Sequence, residues 1–425
     1  SFCIFALKNG RGGQRGLFPF PHPLLLRQPL SLSLAMAHLV RSRVIREAAR
    51  RSSRPKVDVP DSVLREAVKE MASNTPIAMS LQQLYAFGKS VQSPAMRLRS
   101  AQFLHRELPI RLAQRAWELM NLSHGLGTTE NIDKVATNYA KHAWEISHTD
   151  VPTTEAEEQD FTSLLASLLL DSRTVPQALS MSVREFNEQG QTELGEVREV
   201  ETILSRFFTG RIGLRFLIEH HIESLSAAPG FSGIIESQCK PVLLARECAK
   251  AATVMCNAYC GTSPQINVIG DPTISFTYVT NHLNYMITEL LKNSCRAVVE
   301  HHGPGMDLPP IKLIVAKGGE DICIKISDEG GGVPRSQLER IWRFFESTAP
   351  RPPDVRIDDL EYLKTKTADT VPVLAGYGVG LPLSRVYAQY FGGNLQGRSM
   401  EGWGMDTFLH LNVLGADCEN LPDVV

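Results

Sequence analysis

The sequence predicts two domains, an N-terminal all-α helical bundle followed by a C-terminal α/β sandwich. From residue 61 to about residue 226, glycines are few and long stretches have helical periodicity, with almost no strand-like alternation. Four or more helices of this length are typical of a bundle. Residues 227–233 are rich in proline, glycine and serine, which indicates a boundary, and a mixed pattern follows. We therefore assign residues 58–226 to the bundle, 227–236 to a linker, 237–415 to the second domain and 416–425 to a C-terminal tail.

Local signals place the helices of the first domain. Asp61 or Ser62 is expected to cap a helix that runs through Met71, and Ser93 is expected to begin another. Residues 200–225 carry apolar side chains at helical spacing and predict a third long helix. Pro109 is expected to kink its helix or to begin a new one, because proline lacks the amide that an interior turn requires.

The second domain shows both periodicities. Residues 241–258 are predicted to be helical. Residues 311–315 and 322–326 read as two strands joined across Gly318 and Gly319, which is a hairpin signal. Residues 407–413 alternate again and predict a further strand.

Charge is distributed unevenly along the chain. Residues 1–57 contain eleven Lys and Arg but a single acid, Glu47, although the net charge of all 425 residues is -2. An Arg-rich, serine-containing, acid-poor segment is typical of a mitochondrial or plastid transit peptide, and a basic tail without an address is the alternative. The remainder is acidic, which argues against nucleic-acid binding. No apolar run approaches the roughly 18 to 20 residues of a spanning helix, and Cys256 and Cys260 are expected to be core residues rather than zinc ligands.

One eight-residue segment combines an acid and a carboxamide at helical spacing. It consists of Glu289, Leu290, Leu291, Lys292, Asn293, Ser294, Cys295 and Arg296. Residues four apart share a helix face, so Glu289 and Asn293 can point into one pocket. An acid beside a neutral oxygen ligand suits a site where a hydroxyl or water is activated next to a magnesium-bound phosphate. A solvated helix face is the alternative.

Two glycine-bearing segments follow. Asp328 ends a predicted strand and precedes three glycines, including Gly330 and Gly332, so its carboxylate could accept a hydrogen bond from the exocyclic amine of adenine. An ordinary turn with an Asx-type hydrogen bond is equally compatible with this motif. The second segment consists of Gly376, Tyr377, Gly378, Val379, Gly380 and Leu381 and leads into a helix, where exposed amides could hold phosphate. It is neither a Walker loop nor a Rossmann fingerprint. Residues 346–375 between the two segments are expected to form a lid, and a disordered linker is the alternative.

The order of these signals resembles the ATP-binding fold of gyrase, heat-shock chaperone ATPases, sensor histidine kinases and MutL. Within that superfamily the chain most resembles the mitochondrial protein kinases that act on pyruvate dehydrogenase and on branched-chain 2-oxoacid dehydrogenase. Residues 81–88 and 103–113 are similar to the helical domain of those kinases, and residues 347–352 and 383–391 are similar to the pyruvate dehydrogenase kinase branch.

The resemblance implies roles for individual residues. It makes Glu289 the catalytic base, Asn293 the ligand of Mg²⁺ and Asp328 the acid that binds adenine. Further nucleotide contacts are implied for the rest of the helix through Arg296, for Ser347 and Thr348 of the lid, and for the loop from Gly376 to Leu381.

The resemblance also implies an activity. The expected protein is an ATP-dependent protein-serine kinase of the mitochondrial matrix that phosphorylates and inhibits the E1α subunit of pyruvate dehydrogenase. It would dock on the lipoyl domain of the E2 core and form a homodimer. Branched-chain 2-oxoacid dehydrogenase is the alternative substrate, favoured by Tyr285 where the pyruvate branch usually has His.

Three further functions, which differ more from the expected kinase activity, remain as alternatives. One is a histidine kinase with His105 or His220 as phosphoacceptor, and another is an ATP-driven chaperone or repair clamp. The third is a nucleotide-binding scaffold without catalysis, which is suggested by Glu329 and Met405 where the family usually has Arg and Thr.

Overall fold

A computed structural model gives the fold of most of the chain. It describes residues 59–90, 93–188, 198–224, 228–304, 307–347, 377–413, 415 and 418–422, together with Ile45 and Ala49. The predicted transit peptide, residues 1–57, lies outside the described residues except for those two positions.

The first half is helical, as predicted. Its helices are α1 (Asp61–Ala72), α2 (Leu81–Ser90), α3 (Pro94–Met120), α4 (Glu130–Ser147), α5 (Glu155–Asp171), α6 (Val175–Glu188) and α7 (Arg198–Glu223), with a 3₁₀ turn at Leu126–Thr128. The Ser93 hydroxyl caps α3 by accepting the Met96 amide at 3.4 Å. Thr154 and Glu157 form a reciprocal capping box at the start of α5.

Helix α3 is the central helix of the bundle. It packs against α1, α4, α5 and α7. It runs for 27 residues through Pro109, so of the two expectations for this proline the start of a new helix is wrong and the kink stays a prediction. Pro109 is buried, and Leu108 and Leu112 on either side of it are buried as well. Packing on several sides offsets the hydrogen bond that proline cannot make.

The second half combines helices with two sheets. Its elements are β1 (Phe231–Ser232), β2 (Ile235–Cys239), α8 (Pro241–Cys260), β3 (Ile266–Ile269), β4 (Phe276–Tyr278), α9 (Thr280–His302), β5 (Ile311–Lys317), β6 (Asp321–Asp328), α10 (Gly380–Tyr390), β7 (Asn394–Met400) and β8 (Gly404–Asn412), with 3₁₀ turns at Arg335–Gln337 and Arg340–Trp342. The predicted helix after residue 241 and the hairpin across Gly318 and Gly319 are confirmed. Strand β1 and the start of β2 lie within the stretch predicted as a linker.

The larger sheet has the strand order β3-β5-β6-β8-β7, parallel between β3 and β5 and antiparallel elsewhere. Ile322, Ile324 and Ile326 of β6 are fully buried, and the residues between them are half-buried, which confirms the predicted alternation. Helices α8, α9 and α10 contact this sheet. The second half is therefore a two-layer α/β sandwich, as predicted. Strands β1, β2 and β4 form a separate antiparallel sheet.

The two halves share one apolar core and one buried ionic junction. A continuous cluster of buried apolar side chains extends from the helical bundle to the large sheet. At its polar centre, the guanidinium of Arg111 in α3 donates to both carboxylate oxygens of Glu419 at 3.1 and 3.0 Å and to Glu107 at 2.8 Å. The Tyr390 hydroxyl at the end of α10 donates to the same Glu419 carboxylate. Burial lowers the pKa of Arg111, but the adjacent Glu419, Tyr390 and Glu107 reverse that effect and hold it above its ordinary value.

Among the described residues, no helix combines the length and apolar character that crossing a bilayer requires.

The junction makes a prediction about stability. Glu419→Ala leaves the buried Arg111 without its bidentate partner, and we expect it to lower the free energy of unfolding by about 3 kcal/mol in urea denaturation. Glu419→Gln keeps hydrogen-bond capacity and should cost less. Glu130→Ala removes an exposed acid paired with Lys134 and is the matched control, with little change expected. If Glu419→Ala is no less stable than Glu130→Ala, the junction does not stabilise the fold.

Candidate nucleotide-binding site

A cleft opens between α9, the end of β6, the start of β8 and the glycine-rich loop before α10. Most of the predicted site residues lie along it. Those lining the cleft are Glu289, Leu290, Lys292, Asn293, Ser294, Arg296, Asp328, Gly330, Gly332, Ser347, Tyr377, Gly378, Val379, Gly380 and Leu381. Four segments that are far apart in the sequence therefore meet at one cavity.

Leu291 and Cys295 are placed elsewhere. Both have no exposed surface and belong to the apolar core, on the face of α9 opposite the cleft. The geometric reason is that positions 291 and 295 are four apart and share a face with each other rather than with Glu289 and Asn293. Including the whole octapeptide in the site was therefore wrong for these two residues. Thr348 and Gly376 lie outside the described residues.

The polar face of α9 carries two groups suited to phosphate chemistry. The Glu289 carboxylate accepts a hydrogen bond from Lys292 at 2.6 Å, and its other oxygen lies 2.5 Å from the position that a Cβ on Gly380 would occupy. Asn293, one turn further along, is half-buried and lines the same cleft. Among the described residues its carboxamide has no hydrogen-bond partner, so its oxygen is available to a ligand.

Asp328 is held from three directions at the inner end of the cleft. Its Oδ2 accepts the Ser294 hydroxyl at 2.7 Å, and its Oδ1 accepts the amides of Gly330 at 3.1 Å and Met405 at 3.3 Å. Burial raises the pKa of Asp328, these three donors lower it, and Asp406 raises it further, so the net direction is upward. An ionised carboxylate has about four acceptor positions, so one is left for a ligand amine.

The Gly330 contact is the Asx-type turn that the sequence motif left open. Asp328 both closes this turn and lines the cleft. Gly330 must lack a side chain for a separate reason: a Cβ there would lie 2.6 Å from the Ala297 Cβ of α9. Close packing of this loop on α9 brings Asp328 and Ser294 together.

The glycine-rich loop is fixed against α9 and the segment before residue 348. Gly378 has a φ of +67°, a conformation that L side chains rarely adopt, and its carbonyl accepts the Phe345 amide at 2.8 Å. A Cβ on Gly380 would lie 2.5 Å from the Glu289 carboxylate. Since α10 begins at Gly380, the loop also presents the amino-terminal end of a helix to the cleft.

Several residues line the cleft although they were not among the predicted site residues. These are Tyr285, Ala297, Glu300, Ile341, Glu346, Pro382, Met405 and Thr407. Ala297 and Glu300 continue the helical periodicity of Glu289 and Asn293, and this periodicity could have identified them. Thr407 shares a strand face with Met405, because residues two apart on β8 point the same way. Ile341 and Pro382 had no comparable signal.

Two departures from the family pattern are now placed. Met405 contributes its backbone amide to Asp328, a contact that does not depend on the side chain, and Thr407 brings a hydroxyl to the same cleft.

Tyr285 packs against Tyr387 with ring centroids 5.1 Å apart. Burial and the nearby Glu289 carboxylate raise the pKa of Tyr285 well above its ordinary value, so it is a neutral phenol.

The two histidines considered as phosphoacceptors are buried. His105 contacts the Thr149 carbonyl at 2.8 Å, and His220 contacts the Leu84 carbonyl at 3.1 Å. Burial lowers the pKa of His220 to about 4. Neither ring lines the cleft, which is the arrangement of structural histidines.

These features together are typical of an ATP-using domain. They are an α/β sandwich, an acid and an amide on one helix, an acid at a strand end, and a glycine loop before a second helix. A family profile described as histidine kinase-, DNA gyrase B- and HSP90-like ATPase matches residues 278–414. A second profile, described as mitochondrial branched-chain alpha-ketoacid dehydrogenase kinase, matches residues 78–236.

Curated relatives extend the match to most of the chain. A mitochondrial pyruvate dehydrogenase kinase of Arabidopsis thaliana is 39% identical over 85% of this chain and 97% of its own length. The kinases with the same name from Drosophila melanogaster and Schizosaccharomyces pombe are 36% and 33% identical, over 81% and 86% of this chain and 84% and 100% of their own lengths. The chain belongs to the mitochondrial pyruvate dehydrogenase kinase family.

The contact between Gly380 and Glu289 predicts a functional effect without loss of fold. In Gly380→Ala, the new Cβ displaces the Glu289 carboxylate, which is the end of a flexible side chain. We expect the melting temperature to stay within a degree or two and kinase activity to fall by about 10²-fold, because catalysis tolerates small displacements of reacting groups poorly. Gly319→Ala in the β5–β6 turn, where a Cβ meets nothing within 4 Å, is the control. Equal activity of the two variants would contradict this assignment.

Proposed function

We propose that this protein is an ATP-dependent protein-serine kinase of the mitochondrial matrix, which phosphorylates the E1α subunit of pyruvate dehydrogenase and thereby inhibits that complex. The proposal is supported by the similarity to known kinases together with the arrangement of the cleft. Relatives named as mitochondrial pyruvate dehydrogenase kinases match the chain over most of its length, and Glu289, Asn293 and Asp328 line one cleft with the glycine loop.

Glu289 is the proposed general base. Transfer of a γ-phosphoryl group to serine requires removal of the hydroxyl proton, and general-base assistance contributes roughly 10²- to 10⁴-fold. The Glu289 carboxylate lies where α9 meets the phosphate-facing loop, beside Gly380. Lys292, paired to it at 2.6 Å, fixes its orientation and supplies a positive charge beside the reacting groups.

The other lining groups bind and orient the nucleotide. Asp328 would accept the adenine amine at the inner end of the cleft, and the amides from Tyr377 to Leu381 would hold the phosphates. The donor set fits Mg²⁺, since Asn293 offers a free carboxamide oxygen and magnesium takes few protein ligands beside phosphate and water. When bound, Mg²⁺ would neutralise charge on the phosphates.

The proposal includes two partners besides the substrate. By family resemblance, the helical domain docks on the lipoyl domain of the E2 core, and two copies of the chain form a homodimer. Acid-rich composition outside the first 57 residues agrees with a protein partner rather than a nucleic acid.

A second candidate has the same chemistry on the E1α subunit of branched-chain 2-oxoacid dehydrogenase. Two observations favour it: Tyr285 lies one turn before Glu289 in the cleft, and the profile that matches residues 78–236 carries the name of the branched-chain kinase. The names of the relatives and the similarity of residues 347–352 and 383–391 favour pyruvate dehydrogenase.

The role of Glu289 predicts a separation of catalysis from binding. We expect Glu289→Gln to lower kcat for phosphorylation of E1α by about 10²- to 10⁴-fold, because the base is lost, while the Kd of Mg·ATP changes only a few-fold. Glu320→Gln, at an exposed acid in the β5–β6 turn, is the control for loss of one negative charge. Undiminished kcat in Glu289→Gln would remove this residue from the mechanism.

Substrate choice is measured directly. Purified E1α from each of the two complexes is incubated with the kinase and labelled ATP, with and without a lipoyl domain. We expect phosphoserine on the pyruvate dehydrogenase subunit and faster labelling when the lipoyl domain is present. Exclusive labelling of the branched-chain subunit would select the second candidate, and acid-labile phosphate on the kinase itself would indicate a histidine kinase.

A further inference from the structure

An acid of the helical domain contacts the backbone of the segment that enters the nucleotide cleft. Glu201, in the first turn of α7, accepts the Phe344 amide through Oε2 at 3.2 Å. The Phe344 ring stacks on Phe208 of the same helix, with centroids 4.8 Å apart and planes 18° apart. Helix α7 therefore fixes both the backbone and the side chain of Phe344.

The next residue is held in a strained conformation. Phe345 has a φ of +64°, which is uncommon for a bulky side chain, and its amide donates to the Gly378 carbonyl at 2.8 Å. Glu346 follows, lines the cleft, and pairs with Arg340 at 3.0 Å and Arg343 at 3.5 Å. A strained conformation persists only where surrounding contacts determine it, and such strain concentrates at functional sites. The Glu201 contact is one of those that determine it here.

The helical domain also contacts the other side of the cleft. The Ser180 hydroxyl of α6 donates to the Tyr377 carbonyl at 3.2 Å, and the Arg184 guanidinium lies 5.9 Å from the Tyr377 ring centroid. Since the Phe345 amide is bonded to Gly378, the segments at 344–347 and 377–380 are held as a pair. Both segments line the nucleotide cleft, and both are anchored to the bundle.

The electrostatic surroundings make the Glu201 anchor sensitive to pH. The pKa of Glu201 is raised to about 7, and burial is the largest cause. The Phe344 amide and Arg343 lower this pKa, and Glu346 raises it. The charged groups acting on Glu201 from the facing segment are thus Glu346 and Arg343. Between the ordinary value of 4.5 and about 7, folded Glu201 keeps a proton that the unfolded chain has lost, so stability falls as pH rises through this window. Above it, the ionised carboxylate carries its charge into a partly buried place beside Glu346, which opposes the packing of Glu201 on Phe344 although the amide bond itself favours the ionised form.

We propose that Glu201 is a positioning residue for the nucleotide cleft: its contact with Phe344 holds the Phe345–Glu346 turn in place, and its protonation strengthens the binding of the nucleotide. The inference rests on the proposed function only in taking Mg·ATP as the ligand of the cleft. Glu201 touches neither the nucleotide site nor Glu289 and acts through the turn.

The test is the pH dependence of nucleotide binding by the full chain. Isothermal titration with the non-hydrolysable analogue Mg·AMP-PNP gives the Kd of the wild type, Glu201→Gln, Glu201→Ala and Glu199→Gln. The wild-type Kd should rise about five-fold between about pH 6 and about pH 8. A difference of about one unit in the pKa of Glu201 between the free and the nucleotide-bound protein would change the Kd by at most about tenfold. Glu201→Gln, which imitates the protonated acid, should bind tightly at both values. Glu199→Gln, at an exposed acid of the same helix, should follow the wild type.

Rescue separates positioning from a general effect on folding. Glu201→Ala has no acceptor for the Phe344 amide and should bind weakly at both pH values, whereas Gln restores tight binding. If Glu201→Ala fails to fold, the comparison of wild type with Glu201→Gln still decides. A Glu201→Gln profile parallel to the wild type, or a Glu201→Ala Kd equal to the wild type, would overturn the proposal. If the wild type does not bind the analogue at either pH, the assignment of the cleft to ATP fails, and the inference fails with it.

Discussion

The amphipathic character of α9 is the constraint on which the candidate nucleotide cleft depends. Leu291 and Cys295 are fully buried against the core and fix the rotation of the helix about its axis. Once that rotation is fixed, Glu289 and Asn293 can only face the opposite side, where the glycine loop and the end of β6 meet them. Buried apolar contacts thus position two polar groups that could not hold this arrangement themselves. The Ser294 bond to Asp328 then joins the helix to the sheet.

The sequence was sufficient for features that are local or periodic. The 3.6-residue period gave the long helices, the alternation in β6 gave the hairpin, and the order of acid, amide and glycine signals predicted the residues of the cleft. The error at Leu291 and Cys295 came from treating a contiguous segment as a site when a helix exposes only one stripe. No new helix begins at Pro109, because tertiary packing overrides a local helix breaker when the helix is buried on several sides.

Features formed by distant residues could not be predicted in the same way. No local pattern connects Arg111 with Glu419, which are 308 positions apart, or Glu201 with the Phe344 amide. A backbone amide carries no signature in the sequence, so the side chain at position 405 does not indicate that the Met405 amide donates to Asp328. Strands as short as β1 and β4 also lack enough residues for a periodicity to emerge.

The Arg111 junction bears on how the molecule can be divided. The sequence suggests a border near residue 227, but the charge of Arg111 in α3 is matched by an acid at position 419, and the same acid receives the hydroxyl at the end of α10. A fragment ending at that border would contain the cation without this counter-charge and would expose the apolar surface that the sandwich covers. The two domains have different architectures, but a shared apolar core and the buried Arg111–Glu419 pair connect them. The border in the sequence is therefore not a border of the apolar core.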